Sequence, residues 1–264
     1  MVLKNKRIAV CATRRAESVI ERVARLGGKA YLEDAVKMVY LPEDLILNNV
    51  KRAIEEEPEI FYFTTGDGLE VILKKSKEGG IYEFFMNLMS KGEVFARGYK
   101  VRGRLISYGF KNFQSVESTK GFINVLKSVE ITGRKVFVQM YGQDMPELES
   151  FLEKANAKML KVWVYRYETD TEKLDAFIDK LLEGFYHAVL FTSAYQVEYI
   201  FERAKERKVA KELSKALNRK VIACAVGKTT AEKLFHRGVL RVFYPEKERL
   251  SFALDELERG FENG

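Results

Sequence analysis

Ile60-Phe61-Tyr62-Phe63-Thr64-Thr65 and Ala188-Val189-Leu190-Phe191-Thr192-Ser193 stand 128 residues apart, and each is an apolar run that ends in two small hydroxyl residues. The residues that follow keep step: Leu69 with Val197, Glu70 with Glu198, Ile72 with Ile200. Gly98, Leu105 and Gly109 recur as Gly227, Leu234 and Gly238, offset by 129, and Lys6-Arg7-Ile8-Ala9-Val10 recurs as Arg134-Lys135-Val136-Phe137-Val138, offset by 128. Matches at nearly one offset, on separate elements, indicate a duplicated unit. The period is too long for a solenoid repeat. It predicts two similar domains, with a ligand cleft between them.

A chain of 264 residues has room for two domains. Apolar runs of strand length alternate with helical stretches of 10–15 residues, which argues for parallel α/β sheets covered on both faces. The first strand is expected at Arg7–Ala12, followed by a helix over Ala16–Leu26 that stops at Gly27-Gly28. Met159–Tyr167 reads as one long alternating strand. This stretch and the region around Glu33–Val39 occupy matching places in the two repeats, and both are candidate connectors between the domains.

No run of about 18 apolar residues occurs, so no membrane span is expected. The N-terminus lacks the pattern of a signal peptide, which predicts a cytoplasmic protein. Cys11 and Cys224 lie inside apolar runs and read as small buried side chains, while the isolated His187 and His236 offer no metal-ligand spacing. The net charge of +7 allows a polyanionic partner. A nucleic-acid binder would be expected to carry a recognition helix or a basic stripe with interleaved aromatics, and neither is found.

In an open parallel sheet, ligands bind beyond the carboxyl ends of the strands. Those ends carry Thr13-Arg14, Thr64-Thr65-Gly66, Arg97-Gly98, Gln139 with Tyr141-Gly142, Thr192-Ser193-Ala194, and Gly227-Lys228-Thr229-Thr230. Glycines and small hydroxyls at helix N-termini expose N–H donors to carboxylates or phosphates. The same residues also serve as ordinary helix caps. Gly227-Lys228-Thr229 imitates the end of a P-loop, but the leading glycine would have to stand at position 222, which is Ile222. Gly66-Asp67-Gly68 likewise lacks the third glycine of a dinucleotide fingerprint, since position 71 is Val71. With no paired catalytic carboxylates and no Cys/His pair, an enzyme built on these loops would work by binding and orienting a reactive substrate.

These residues resemble the uroporphyrinogen-III synthase family, with its tandem halves, its Phe-Thr-Ser at a strand end and its Gly-x-x-Thr-Ala-x-x-Leu. The second half here has Phe191-Thr192-Ser193 and Gly227-Lys228-Thr229-Thr230-Ala231-Glu232-Lys233-Leu234. Val164-Tyr165-Arg166 matches the family connector, and Thr13-Arg14 its opening pair. Ala96-Arg97-Gly98, Gln139-Met140-Tyr141-Gly142 and Thr192-Ser193-Ala194 resemble a divergent branch. The resemblance implies two α/β domains, 1–32 with 170–264 and 43–158, joined by a two-stranded ladder at 33–42 and 159–169. It implies cyclisation of hydroxymethylbilane, an acidic linear tetrapyrrole, to uroporphyrinogen III with inversion of the last pyrrole ring and loss of water. No cofactor is implied, a monomer is expected, and the upstream hydroxymethylbilane synthase is a candidate partner.

Tyr165 matches the family tyrosine proposed to assist departure of the hydroxyl, although a ladder tyrosine packed at the hinge would occupy the same place. Thr229 and Thr230 match substrate-facing threonines, and Arg14 and Arg97 are candidates for pairing with substrate carboxylates. In the first half Gly-x-x-Thr has become Gly98-Tyr99-Lys100-Val101, and Asp67 adds a negative charge. A non-catalytic tetrapyrrole-binding or regulatory module of the same fold is therefore the alternative.

Overall fold

The computed structural model describes residues 2–12 and 16–262. The chain opens with β1 (Arg7–Cys11), α1 (Ala16–Arg25), β2 (Lys29–Leu32) and β3 (Val36–Tyr40). It continues through α2 (Glu43–Glu55), β4 (Ile60–Phe63), α3 (Gly66–Glu78), α4 (Tyr82–Lys91), β5 (Glu93–Arg97), α5 (Gly98–Ser107), β6 (Gln114–Val116) and α6 (Thr119–Leu126). Next come β7 (Lys135–Gln139), α7 (Pro146–Lys154), β8 (Lys158–Val162), β9 (Tyr165–Thr169) and α8 (Thr171–Glu183). The chain ends with β10 (Ala188–Phe191), α9 (Ala194–Glu206), α10 (Ala210–Arg219), β11 (Ile222–Ala225), α11 (Lys228–His236), β12 (Val242–Phe243) and α12 (Leu250–Glu262).

The chain divides into two compact units, Met1–Lys37 with Glu168–Gly264, and Met38–Tyr167. The first holds a five-stranded sheet ordered β12-β11-β10-β1-β2, and the second a five-stranded sheet ordered β6-β5-β4-β7-β8. The strand pairs within both are parallel. The repeat offset converts the second order into the first: moved forward, β4 becomes β10, β5 becomes β11 and β6 becomes β12, and moved back, β7 and β8 become β1 and β2. The expected pair of similar parallel-sheet α/β units is therefore present, together with a two-stranded antiparallel sheet made by β3 and β9.

Both faces of each sheet are packed, and strand alternation decides which residue goes where. In β4, Phe61 and Phe63 join a cluster with Ile46, Val50, Leu69 and Phe85, while Ile60 and Tyr62 join Phe122, Val136 and Leu148 on the other face. In β10, Val189 and Phe191 pack with Phe177 and Phe201, and Ala188 and Leu190 with Val19 and Leu257. Double burial explains why these strands read as continuous apolar runs. Cys11 and Cys224 are free and buried within them.

The single long strand expected at 159–167 is in fact two. β8 stays in the parallel sheet, pairing with β7 from Lys135↔Lys158 to Gln139↔Val162. β9 begins at Tyr165 and joins the two-stranded sheet. The break is visible in the burial pattern: Val162 and Val164 are buried, but so is the adjacent Tyr165, which interrupts the period of two. The helices α4 and α10 and the short strands β6 and β12 also lay outside the sequence reading. No helix of the described residues is long and apolar enough to cross a membrane.

Candidate functional site

In the unit 38–167 the carboxyl ends of β4, β5 and β7 bring together Thr64, Thr65, Arg97 and Gln139, and Tyr165 reaches the same point from β9. Gln139 is fully buried. Its Oε1 accepts from Thr64 N at 3.2 Å and Thr65 N at 3.4 Å, and its Nε2 donates to Thr65 Oγ1 at 2.7 Å. Thr64 Oγ1 donates to Gln139 O at 2.7 Å. One buried amide thus satisfies the turn between β4 and α3, whose backbone groups would otherwise go unpaired. Gly68 makes room for it, because a Cβ there would lie 2.0 Å from Gln139 Nε2. Gly66 allows a second close approach, since its Cβ would meet Lys100 O at 2.9 Å.

Thr65 caps α3 by accepting from Gly68 N at 3.2 Å, so here the ordinary capping role holds. The same Oγ1 accepts from Gln139 Nε2 and from the Tyr165 hydroxyl, the latter at 3.2 Å. Three donors converge on an oxygen with two lone pairs. Tyr165 itself is 3% exposed. Its ring meets those of Tyr40 and Tyr167 edge-on, with centroids 5.8 and 5.9 Å apart. Gly142 (φ 81°) seats this cluster: a Cβ there would fall 2.8 Å from the Tyr167 ring and 3.1 Å from that of Tyr165. Burial pushes the Tyr165 phenol up to about 12, against the smaller opposing effects of the Thr65 hydrogen bond and the Arg97 charge.

Arg97 is largely committed within the unit. Its Nε donates to Thr64 O at 2.9 Å, one terminal nitrogen donates to Thr119 Oγ1 at 3.4 Å, and the guanidinium lies 4.5 Å from the centre of the half-buried Tyr141 ring. Thr119 also shares a hydrogen bond with the buried Tyr62 hydroxyl at 3.2 Å. Sequence reasoning missed Thr119, Tyr62 and Tyr40, none of which lies in a motif.

In the other unit the equivalent turn follows β10. Thr192 Oγ1 donates to Cys11 O at 2.7 Å, with Gln196 Oε1 a second acceptor in reach at 3.3 Å. Gln196 occupies the position of Gly68, and Cys11 that of Gln139. The glutamine has changed sides between the repeats, from strand to helix, and meets the turn only through the Thr192 hydroxyl. Gln196 Nε2 is buried without a hydrogen-bond partner among the described residues. Thr13 and Arg14 lie outside the described residues.

The remaining candidates stand at helix N-termini. Arg97, Ser193 and Gly227 are the N-cap residues of α5, α9 and α11, and none supplies a side-chain capping bond. None of the three helices has an acidic residue in its first turn. The first turns of α5 and α9, from Gly98 and Ala194, thus offer N–H groups to an anion, whereas the Glu248 carboxylate packs against the start of α11, its Oε1 2.9 Å from where a Cβ of Gly227 would stand. Of the paired threonines, Thr229 is exposed and Thr230 is 4% exposed. Thr230 thus packs inward instead of facing a ligand. Its repeat counterpart Val101 is fully buried, so the hydroxyl missing from the first half falls at a packing position. Among the described residues, no group of three or more His, Cys, Asp or Glu side chains could hold a metal.

The uroporphyrinogen-III synthase HemD family model matches residues 17–254. The chain belongs to the uroporphyrinogen-III synthase family. A Bacillus subtilis protein, YjjA, is 31% identical over 263 residues, covering 98% of this chain and 97% of its own. A solved structure of a mutant uroporphyrinogen III synthase from Thermus thermophilus has a TM-score of 0.83 at 29% identity, covering 98% of this chain and all of its own. The wild-type enzyme from the same organism, in another crystal form, gives 0.75 at 31% identity, covering 98% of each chain. This family member therefore shares the fold of solved uroporphyrinogen III synthases over nearly its whole length.

Two outcomes follow for the turn and the phenol. Gly68→Ala is expected to cost about 1–3 kcal/mol in a urea melt. Pairing it with Gln139→Ala should cost less than the sum of the single changes by at least ~0.5 kcal/mol, because the obstacle to the new methyl is the amide itself. In an alkaline difference titration against Tyr165→Phe, the Tyr165 phenolate should appear near pH 12, above the ordinary 10.0. Its folded value is the raised one, so its contribution to stability is complete below pH 10 and is lost as the pH rises toward 12.

Proposed function

We propose that this chain is an active uroporphyrinogen-III synthase that closes hydroxymethylbilane to uroporphyrinogen III, inverting the last pyrrole ring with loss of water. The observation that carries this reading is the contact between Tyr165 and Thr65, a neutral phenol at a strand end whose acceptor is already claimed by two other donors. A tyrosine in that position gives up little when it turns its hydrogen bond toward a substrate oxygen. We assign it to the departing hydroxyl.

The electrostatics favour donation of a hydrogen bond over full proton transfer. A pKa of about 12 makes a buried phenolate at pH 7 roughly 7 kcal/mol unfavourable. That value already includes the opposing pull of the nearby Arg97 charge. Polarising the leaving oxygen is therefore the role that this phenol can fill, and the rest of the rate comes from holding the tetrapyrrole in the geometry for ring inversion.

The eight carboxylates of hydroxymethylbilane suit helix ends that lack both a capping side chain and a first-turn acid, namely those at Gly98 and Ser193-Ala194, and that at Gly227-Lys228 where a substrate carboxylate would displace the one of Glu248 packed against Gly227. Lys228 is exposed at one of them, and Thr229 beside it presents a hydroxyl. In this reading Thr64, Gln139 and Gly66 shape the turn, and Arg97, Tyr141 and Gly142 hold the wall around Tyr165. The chain acts as a monomer without a cofactor, receiving its substrate from hydroxymethylbilane synthase.

The test is the isomer distribution. Fresh hydroxymethylbilane incubated with the protein, then oxidised and separated by chromatography, should give type III uroporphyrin in excess over a control without enzyme. Type I alone, beside an active synthase run in parallel, would overturn the reading and leave the non-catalytic binding module. Tyr165→Phe should slow turnover by roughly 100-fold while binding of the product changes little.

A further inference from the structure

On α10, Lys211, Lys215 and Arg219 recur every four residues and form one line along the helix. Leu240 and Arg241, from the turn that precedes β12, close the other side of a concavity of about 720 Å³ that also includes Ser214 and Asn218. Among the described residues, the charged groups of these four side chains have no ion-pair or hydrogen-bond partner, and that of Arg241 lies 5.7 Å from the centre of the Phe243 ring. The neighbouring α9 and its surroundings differ: Arg203 pairs with Asp175 and Glu206, Arg207 with Asp179, and Arg237 with Glu198 and Glu202. Like charges four apart work against a helix, and Glu212, the one acid on α10, forms no ion pair with them.

Leu240 is 77% exposed, the most exposed large apolar side chain among the described residues. It is not loosely held. Asn218 Oδ1 accepts from Leu240 N at 2.7 Å and Arg241 N at 3.2 Å, and its Nδ2 donates to Gly238 O at 2.8 Å. Ser214 Oγ donates to Arg237 O at 2.7 Å. Two side chains of the helix are thus spent on fixing the turn that presents the leucine.

The duplication supplies an internal control. At the matching positions of the other unit, α4 carries Glu83, Met86, Asn87, Ser90 and Lys91, and the turn carries Lys111 and Asn112. The shared fold therefore does not require the cationic line, the asparagine clamp or the exposed leucine. All three occur together in one copy.

We propose that this face docks an acidic protein segment that lays carboxylates along Lys211, Lys215 and Arg219 and seats an apolar side chain on Leu240. Charge complementarity selects the sign of the partner. The fixed leucine selects a protein, because a phosphate backbone gains nothing from an apolar knob and one leucine inserts too little into a lipid surface. A small polyanion is disfavoured, since the neutral donors that would read its shape are turned inward.

The test uses the full chain and a fluorescein-labelled synthetic helical peptide with glutamates four apart on one face and a leucine beside them, followed by anisotropy. Micromolar binding is expected, weakened at least fivefold by Lys215→Glu and by Leu240→Ser and unchanged by Lys91→Glu on the matching face of α4. Both altered side chains are exposed, and equal thermal melts would show that the fold is intact. Equal binding by these variants, or by a peptide with glutamines in place of its glutamates, would overturn the proposal. So would tighter binding of a DNA duplex or of phosphatidylglycerol vesicles that is indifferent to Leu240→Ser.

Discussion

A strand hydrogen-bonded to neighbours on both edges and covered on both faces has nowhere to place a polar side chain except at its ends. β4 and β10 meet that condition fully: each has parallel partners on two sides, and every one of its residues is buried. The chemistry of the chain is consequently pushed into the turns that leave these strands. Thr64-Thr65 and Thr192-Ser193 are the first residues at which a hydroxyl costs nothing. Each turn then needs partners for backbone groups that the sheet has released and the helix has not yet taken up. In the unit 38–167 the Gln139 amide meets that need, and the surrounding geometry, including the glycine at position 68, follows from its size; in the other unit Thr192 N donates to Cys11 O instead.

Much of the fold was legible because double burial writes itself into composition. The apolar runs at 60–63 and 188–191, their shared offset and the alternation of helices are enough to give two similar parallel-sheet units; the order of the strands comes from the structure. What escaped was local. Two strands were merged at 159–167 because a turn at Trp163-Val164 uses apolar residues, so hydropathy carries no mark of it. The helices α4 and α10 were missed because they follow α3 and α9 through short connections without a strand between them. β6 and β12 are too short, at three and two residues, for a period of two to be visible.

The site was legible as a set of loops and illegible as a set of contacts. Gln139 and Thr65 meet across 74 positions, and Tyr165 reaches Thr65 across 100, so no local pattern could pair them. Arg97 looked free for a ligand because its partners, Thr64 O and Thr119, are a backbone oxygen and a residue outside any motif. Thr229 and Thr230 are adjacent and chemically identical. One is exposed and the other buried only because consecutive helical positions point about 100° apart. Spacing could separate these two only if the buried face of α11 were already known.

Duplication also allows the chain to be compared with itself. The exchange of a strand glutamine with a helical glycine for a strand cysteine with a helical glutamine preserves one amide while altering what the amide leaves over. In the unit 38–167 Gln139 uses both ends of its amide and places a third donor in competition at Thr65 Oγ1. In the other unit Gln196 Nε2 is buried without a hydrogen-bond partner among the described residues, and the counterpart of Tyr165 is Val36. The surplus polar group is a phenol in one copy and an amide in the other. An amide N–H is a weak acid and can at most hold a ligand, whereas a phenol can also polarise a departing oxygen. Equivalent turns in equivalent folds have thus been left with different capacities, and the asymmetry puts the bond-breaking part of the proposed reaction on the unit that contains Tyr165.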